Sequence, residues 1–310
     1  MAYELEKRLV IGIASSALFD LTKSDRVFRR KGVAVYRTYQ EQRLNVPLAP
    51  GVAFPFIKRL LSLNDLSPQD DPLVEVIVLS KNSPDTGLRV MRSIKHHQLP
   101  ITRAIFQQGR SPYGFMRALN MSLFLSANQR DVRRAVADNL PSGRVLKSTY
   151  VDDDETDLRI AFDFDSVLAD DESERVMQSG GLDEFHRHET ANLTTTHNSG
   201  PLRDLLAGIT RIQDREEEER VVNRKYKTRV RVSVVTARNA PSHERAVESL
   251  KRWGLRVNDA FFLGGIEKNK VLCALRPHIY FDDQKRNLKS ASIPCVHVPF
   301  GVINEAKPPS

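Results

Sequence analysis

The stretch RIAFDFDSVLADDESERV, residues 159–176, decides how the rest of the chain is read. An apolar run through Ile160, Ala161 and Phe162 is followed at once by Asp163 and Asp165. Side chains at i and i+2 of an extended segment share a face, so a strand ending this way aims two carboxylates at nearly one point. Two like charges that close repel unless a cation or a set of donors holds them. The stretch predicts a buried strand whose carboxyl end carries a charged site.

Outward from it, the chain repeats itself. Residues 74–135 lie over residues 230–291 without a gap, VEVIVLSKNSPDTGLRVMRSIKHHQL falling on VRVSVVTARNAPSHERAVESLKRWGL. The opening strand repeats at a slightly smaller shift, with VIGIASSALFDLTKSDRVF on IAFDFDSVLADDESERVM. This self-similarity predicts two copies of one unit, residues 1–148 and 149–310. In the second copy, strands are expected up to Phe162, from Val230 to Val235, Ala260 to Leu263 and His278 to Phe281. Helices are expected over Ser242 to Trp253 and Lys268 to Leu275. Short apolar strands alternating with helices predict an α/β fold, a doubly wound parallel sheet of the Rossmann-like, three-layer kind.

Ligands of such sheets bind at the carboxyl ends of the strands. There the second copy offers Asp163 and Asp165, Thr236 in VVTARN, Lys268 in GGIEKNK and the pair Asp282–Asp283 in YFDDQ. Taken singly, each has an ordinary explanation as a helix cap, a strand-end hydroxyl or a turn. Together they put four carboxylates at one sheet edge. Such a group requires a cation, and hard oxygen donors in this number suit Mg²⁺ better than zinc or iron.

In this order the residues resemble the haloacid dehalogenase-like phosphohydrolases. Within them, AFDFDSVLADDESERV, VVTARN, WGL, FFLGG, RPHIYFDDQ and HVPFGV, with LFLSANQRDVRRA in the first copy, resemble the cytosolic 5′-nucleotidase I family. The resemblance implies hydrolysis of nucleoside 5′-monophosphates through an aspartyl phosphate. Asp163 would be the nucleophile and Asp165 the general acid, then base, while Thr236 and Lys268 would bind phosphate. It also implies Mg²⁺ held by the side chains of Asp163 and Asp282 and the main-chain carbonyl of Asp165, with Asp283 in support. Lys268 is chosen over Lys270 by its distance from RPHIYFDD.

Opposite Asp163 and Asp165 the first copy has Ile13 and Ser15, opposite Lys268 it has Pro112, and opposite Asp282 and Asp283 it has Ser126 and Ala127. Only Ser80, opposite Thr236, keeps its chemical type, so the first copy is expected to be degenerate and non-catalytic. It would serve as a scaffold or a regulatory nucleotide site. Residues 166–228 of the second copy form a long, largely helical insertion, which the resemblance makes a cap over the site. Phe185, His186, His188 and His197 are candidates there for reading the nucleoside, and the run Glu216 to Glu219 reads as a solvated helix face.

Composition narrows the partners. A net charge of +8 over 310 residues favours an anionic ligand. The basic residues are dispersed and aromatic residues sparse, which argues against nucleic acid. No apolar run reaches membrane-spanning length and MAYELEKRLVIGIASS does not read as a secretory signal, so no membrane partner is expected. Cys273 and Cys295 are the only cysteines, as suits a reducing, cytoplasmic location. No G-x-x-x-x-G-K-[ST] loop is present, which argues against a kinase or ATPase of that type. The alternatives left open are a phosphatase of the same chemistry on another small phosphate ester and a nucleotide-binding regulatory protein. A homo-oligomer is a further expectation from the resemblance.

Overall fold

The computed structural model describes residues 4–153, 155–290 and 292–305, so the ends of the two expected domains, at 1–3 and 306–310, lie outside the described residues. The chain divides into two units, residues 1–145 and 146–310. In chain order the first holds β1 (Leu9–Ile13), α1 (Ser15–Leu18), α2 (Thr22–Gln42), α3 (Phe54–Ser62), β2 (Val74–Ser80), α4 (Pro84–His96), β3 (Arg103–Phe106), β4 (Met121–Ser126), α5 (Gln129–Ala137) and β5 (Ser142–Val145). The second holds β6 (Leu158–Phe162), α6 (Glu172–Ala191), α7 (Arg203–Val222), β7 (Val230–Thr236), α8 (His243–Arg252), β8 (Asp259–Phe262), α9 (Lys268–Leu275), β9 (Ile279–Asp282) and β10 (Cys295–His297).

Strand order is β3-β2-β1-β4-β5 in the first unit and β8-β7-β6-β9-β10 in the second, with parallel pairing throughout each. This is a parallel α/β fold of the Rossmann-like kind. The sequence explains the layering: VEVIVLS of β2 and IYFD of β9 are buried at every residue, as continuous apolar strands covered on both faces must be. The edge strands RAIF and DAFF remain partly open. Helices start where chemistry allows; the Ser83 hydroxyl accepts from Thr86 N at the head of α4, with Pro84 in the first turn. Strand order reverses between β1 and β4 and between β6 and β9, and the crevice above such a reversal is where ligands bind.

One expectation about the helical insertion is corrected. It is not confined to the second unit, because α2 and α3 join β1 to β2 as α6 and α7 join β6 to β7. Both long helices also bend at a glycine in a backbone region closed to other residues, Gly32 at φ 78° and Gly181 at φ 72°. Within 166–228, α7 sinks Leu205, Leu206, Ile209 and Ile212 into the core.

The acidic run is corrected too. Glu216 is fully buried. Its carboxylate accepts from Arg229 N at 2.6 Å, Val230 N at 3.0 Å and the Tyr226 hydroxyl at 2.8 Å. The N–H groups at the start of β7 and just before it require an acceptor, and Glu216 on α7 supplies it. Among the described residues no helix is long and apolar enough to cross a membrane. Cys273 and Cys295 are both free.

Glu216→Ala strands those buried donors and is expected to destabilise the protein by about 2–3 kcal/mol, read as a lower denaturant midpoint. Glu218→Ala, on the exposed part of the same run, should leave the midpoint unchanged.

Candidate active site

The crevice at the β6/β9 reversal collects the charged residues. Asp163 directly follows β6, and its N–H continues the ladder by donating to Phe281 O at 2.8 Å. Asp282 ends β9, Asp283 follows it, and Lys268 opens α9. All four are buried. Lys268 Nζ lies 2.5 Å from Asp163 Oδ2 and 2.9 Å from Asp282 Oδ2, so one ammonium bridges two carboxylates. Lys270, the alternative, is exposed.

Partners are unevenly shared among the three acids. Asp282 accepts from Gln284 N at 2.7 Å, from Asn287 Nδ2 at 3.0 and 3.2 Å, and from the Tyr280 hydroxyl. Asp163 accepts from Phe164 N at 2.7 Å besides Lys268. Asp283 has neither carboxylate oxygen hydrogen-bonded, although both are buried. Its main-chain carbonyl is held instead, by His297 Nε2 at 2.9 Å and Asn304 Nδ2 at 3.0 Å, which fixes the backbone and leaves the carboxylate free.

Buried acids crowded in this way resist ionisation. Burial and the negative charge of Asp282 push the Asp163 carboxyl up against the pull of Lys268, and burial with the charges of Asp163 and Asp282 pushes Asp283 up. Burial works against the Lys268 ammonium, but Asp163 and Asp282 outweigh it and raise its pKa. Carboxylate oxygens of Asp163, Asp282 and Asp283 all lie within 4.8 Å of one another. Orphaned buried oxygens in a hard, oxygen-only donor set fit a divalent cation.

Asp165 is placed differently. Its carboxylate stands outside that trio and is gripped by Arg238, Nε to Oδ2 at 2.9 Å and Nη2 to Oδ1 at 2.7 Å. Between the two aspartates, Phe164 is fully buried, stacked on Trp253 with ring centroids 6.3 Å apart and set edge-on to His197 at 5.2 Å. Thr236 is buried at the end of β7, its hydroxyl accepting from Arg238 N at 3.2 Å.

Of the residues considered for reading a nucleoside, His188 and His197 are spent on Glu189, at 3.1 and 3.0 Å, and Phe185 packs against the Arg238 guanidinium. Sequence reasoning does not single out Arg238, Glu189, Tyr280 or Asn287. Arg238 stands two residues beyond Thr236 in VVTARN, and this proximity is the one available signal. A second group, Asp152, Asp153 and His278, lies at the opposite edge of the sheet and is organised by Arg159, whose Nη2 donates to Asp153 at 2.5 Å.

The family model described as 5′-nucleotidase matches residues 1–305. The chain belongs to the 5′-nucleotidase family. Within that family it is similar to cytosolic 5′-nucleotidase 1B of Homo sapiens, with 32% identity over 292 residues. The match covers 91% of this chain and 47% of the human protein, so this 5′-nucleotidase-family chain spans about half the length of that relative. No solved structure matches it.

Replacing the orphaned acid gives a test that needs no turnover. In EDTA, Asp283→Asn lifts the cost of holding a partnerless buried acid either ionised or protonated above its ordinary pKa, and is expected to raise the melting temperature at neutral pH by roughly 3 °C. Added Mg²⁺ should then stabilise the unsubstituted protein and leave the variant unmoved. A variant that melts lower in EDTA, or that gains from Mg²⁺ as before, would show that Asp283 is not the open ligand.

Proposed function

We propose that the protein is a Mg²⁺-dependent 5′-nucleotidase that hydrolyses nucleoside 5′-monophosphates to nucleoside and phosphate through an aspartyl phosphate on Asp163. The observation that carries this reading is the Asp163 carboxylate, buried at the sheet reversal, bridged by Lys268 at 2.5 Å and adjoining an acid with no partner of its own. Family membership supplies the substrate class, and the relative's printed name supports a cytosolic location.

In this reading an oxygen of Asp163 attacks phosphorus, the bond from phosphorus to the 5′-oxygen breaks, and Asp165 gives that oxygen its proton. Water then attacks the aspartyl phosphate, Asp165 takes the proton and Asp163 is regenerated. Lys268 neutralises charge on nucleophile and phosphate, and Thr236 donates its hydroxyl to a phosphoryl oxygen. A divalent cation would be held by Asp163 and Asp283 with the main-chain carbonyl of Asp165, and would supply charge neutralisation that lets one anion attack another. Asp283 takes the direct ligand part because Lys268, Tyr280, Asn287 and Gln284 N already occupy Asp282. Asp282 then positions Lys268.

The finer fold assignment belongs to the same proposal: both units are haloacid dehalogenase-like and arose from one duplicated unit, the first having lost its chemistry. Supporting this are the equal strand orders, the bends at Gly32 and Gly181, and the isolated bridges Phe19–Pro50 and Ala169–Ser199 at matching places. The α6 segment would be the cover that shields the phosphate from water.

Phosphate release from a panel of nucleoside monophosphates and sugar phosphates tests the proposal. Release should require Mg²⁺, stop in EDTA, favour nucleotides and fall by at least about a thousandfold in Asp163→Asn. Turnover that survives Asp163→Asn would sink the mechanism. Nucleotide binding without turnover in the intact protein would favour a regulatory role.

A further inference from the structure

Arg238 is almost fully buried, yet it touches none of the three clustered acids. Each of its three guanidinium nitrogens donates to an acceptor. Nε and Nη2 clamp the two oxygens of Asp165, while Nη1 donates to Glu189 and, at 3.0 Å, to Ser242 O. The rings of Phe164 and Phe185 flank the guanidinium at 5.1 and 5.2 Å. Glu189, on α6, is fully buried and accepts as well from Arg245, Ser173, His188 and His197. Burial opposes its charge, but His197 and Arg238 hold its carboxyl well below the usual range.

The first unit separates what this network does for the fold from what it does for Asp165. There Arg89 donates to the side chain of Gln40 at 3.0 Å and to Val46 O at 3.0 Å, just as Arg245 donates to Glu189 at 2.9 Å and Thr195 O at 3.0 Å. The tie between the long helix and the helix that follows the second strand of the unit, α2 to α4 here and α6 to α8 there, is therefore made without charge on the long helix. Where the second unit has Asp165 and Arg238, the first has Ser15, hydrogen-bonded to Ser80, and Asn82, which accepts from Tyr36. The guanidinium fork occurs with the carboxylate pair and is missing from the unit without it.

We propose that Arg238 is a positioning residue for the hydrolysis, fixing the plane of the Asp165 carboxylate so that it can exchange a proton with the 5′-oxygen and with water, while Glu189 fixes Arg238. This rests on the function proposed above. A carboxylate has about four lone-pair directions, and the fork takes one on each oxygen. One on each remains for the proton that Asp165 gives as the bond from phosphorus to the 5′-oxygen breaks, and regains from water as the bond from phosphorus to Asp163 breaks.

Leaving-group dependence tests it. A nucleoside 5′-oxygen leaves poorly without a proton, whereas p-nitrophenolate needs none, and kcat/KM reports only the steps through phosphoryl transfer to Asp163. Arg238→Lys keeps the charge and loses the fork, so kcat/KM on adenosine monophosphate should fall about 100-fold, against less than about threefold on p-nitrophenyl phosphate. In an Asp165→Asn background the same substitution should cost nothing further. Glu189→Gln, for which Gln40 opposite Arg89 is the precedent within this chain, is the second variant if the lysine protein does not fold. It should give a smaller loss with the same selectivity. Equal losses on both esters, or a full further loss in the Asp165→Asn background, overturn the inference alone. An unsubstituted protein that releases no phosphate from adenosine monophosphate overturns the function reading and this one with it.

Discussion

Three carboxylates meeting one ammonium inside a closed sheet edge set the terms for everything around them. With all three acids ionised, Asp163, Asp282 and Asp283 against Lys268 leave an excess of two negative charges, which one divalent cation would balance, in a place largely removed from solvent. A buried charge without a partner is among the least favourable states a protein can hold. The site has two ways out: protonation, toward which Asp163 and Asp283 are pushed, or a cation from outside. The rigid surroundings follow from that constraint. Tyr280, Asn287 and Gln284 N fix Asp282, and His297 with Asn304 fixes the backbone at Asp283, so the acids cannot swing apart to relieve their repulsion.

Much of this is legible in the amino-acid order because local rules govern it. β6 ends at Phe162 and α9 spans Lys268–Leu275 as the apolar pattern predicts, β7, β8 and β9 lie within a residue of expectation, and β10 is a strand the sequence reading does not include. Strand ends in a parallel sheet converge by topology, so residues about 120 positions apart can be brought together from sequence. What stays hidden depends on tertiary meeting. Nothing in ESERVMQSGGLDEFHRHETA marks Glu189 as the buried centre of five donors, because its neighbours Arg238, Arg245 and His197 arrive from other elements. Glu216 departs from expectation for a related reason. A run of glutamates looks solvated, yet one position per turn faces inward and meets the unsatisfied amides of β7.

The two units show which contacts recur where the charged residues of the β6/β9 edge do not. Arg89 and Arg245 make equivalent contacts to a helix that bends at Gly32 or Gly181. Ser93 and Ser249 likewise hold the backbone N–H of Leu48 and of His197. These are polar contacts of buried backbone and side chain, which the packing of the helices on one another needs whatever happens at the sheet edge. Among the described residues, the trio of Asp163, Asp282 and Asp283 with Lys268, and the Arg238 fork, are not repeated at the corresponding positions of the first unit, where Ser15 and Ser80 satisfy one another.

The single tryptophan of the chain gives the site a voice. Trp253 stacks on Phe164, and Phe164 is the residue between Asp163 and Asp165. Phe164 also lies against the Arg238 guanidinium. Any shift of the aspartate loop or of that guanidinium alters the ring on which the indole rests. Intrinsic emission from this one chromophore therefore reports on the nucleophile's loop without a label, and with no second tryptophan to dilute the signal.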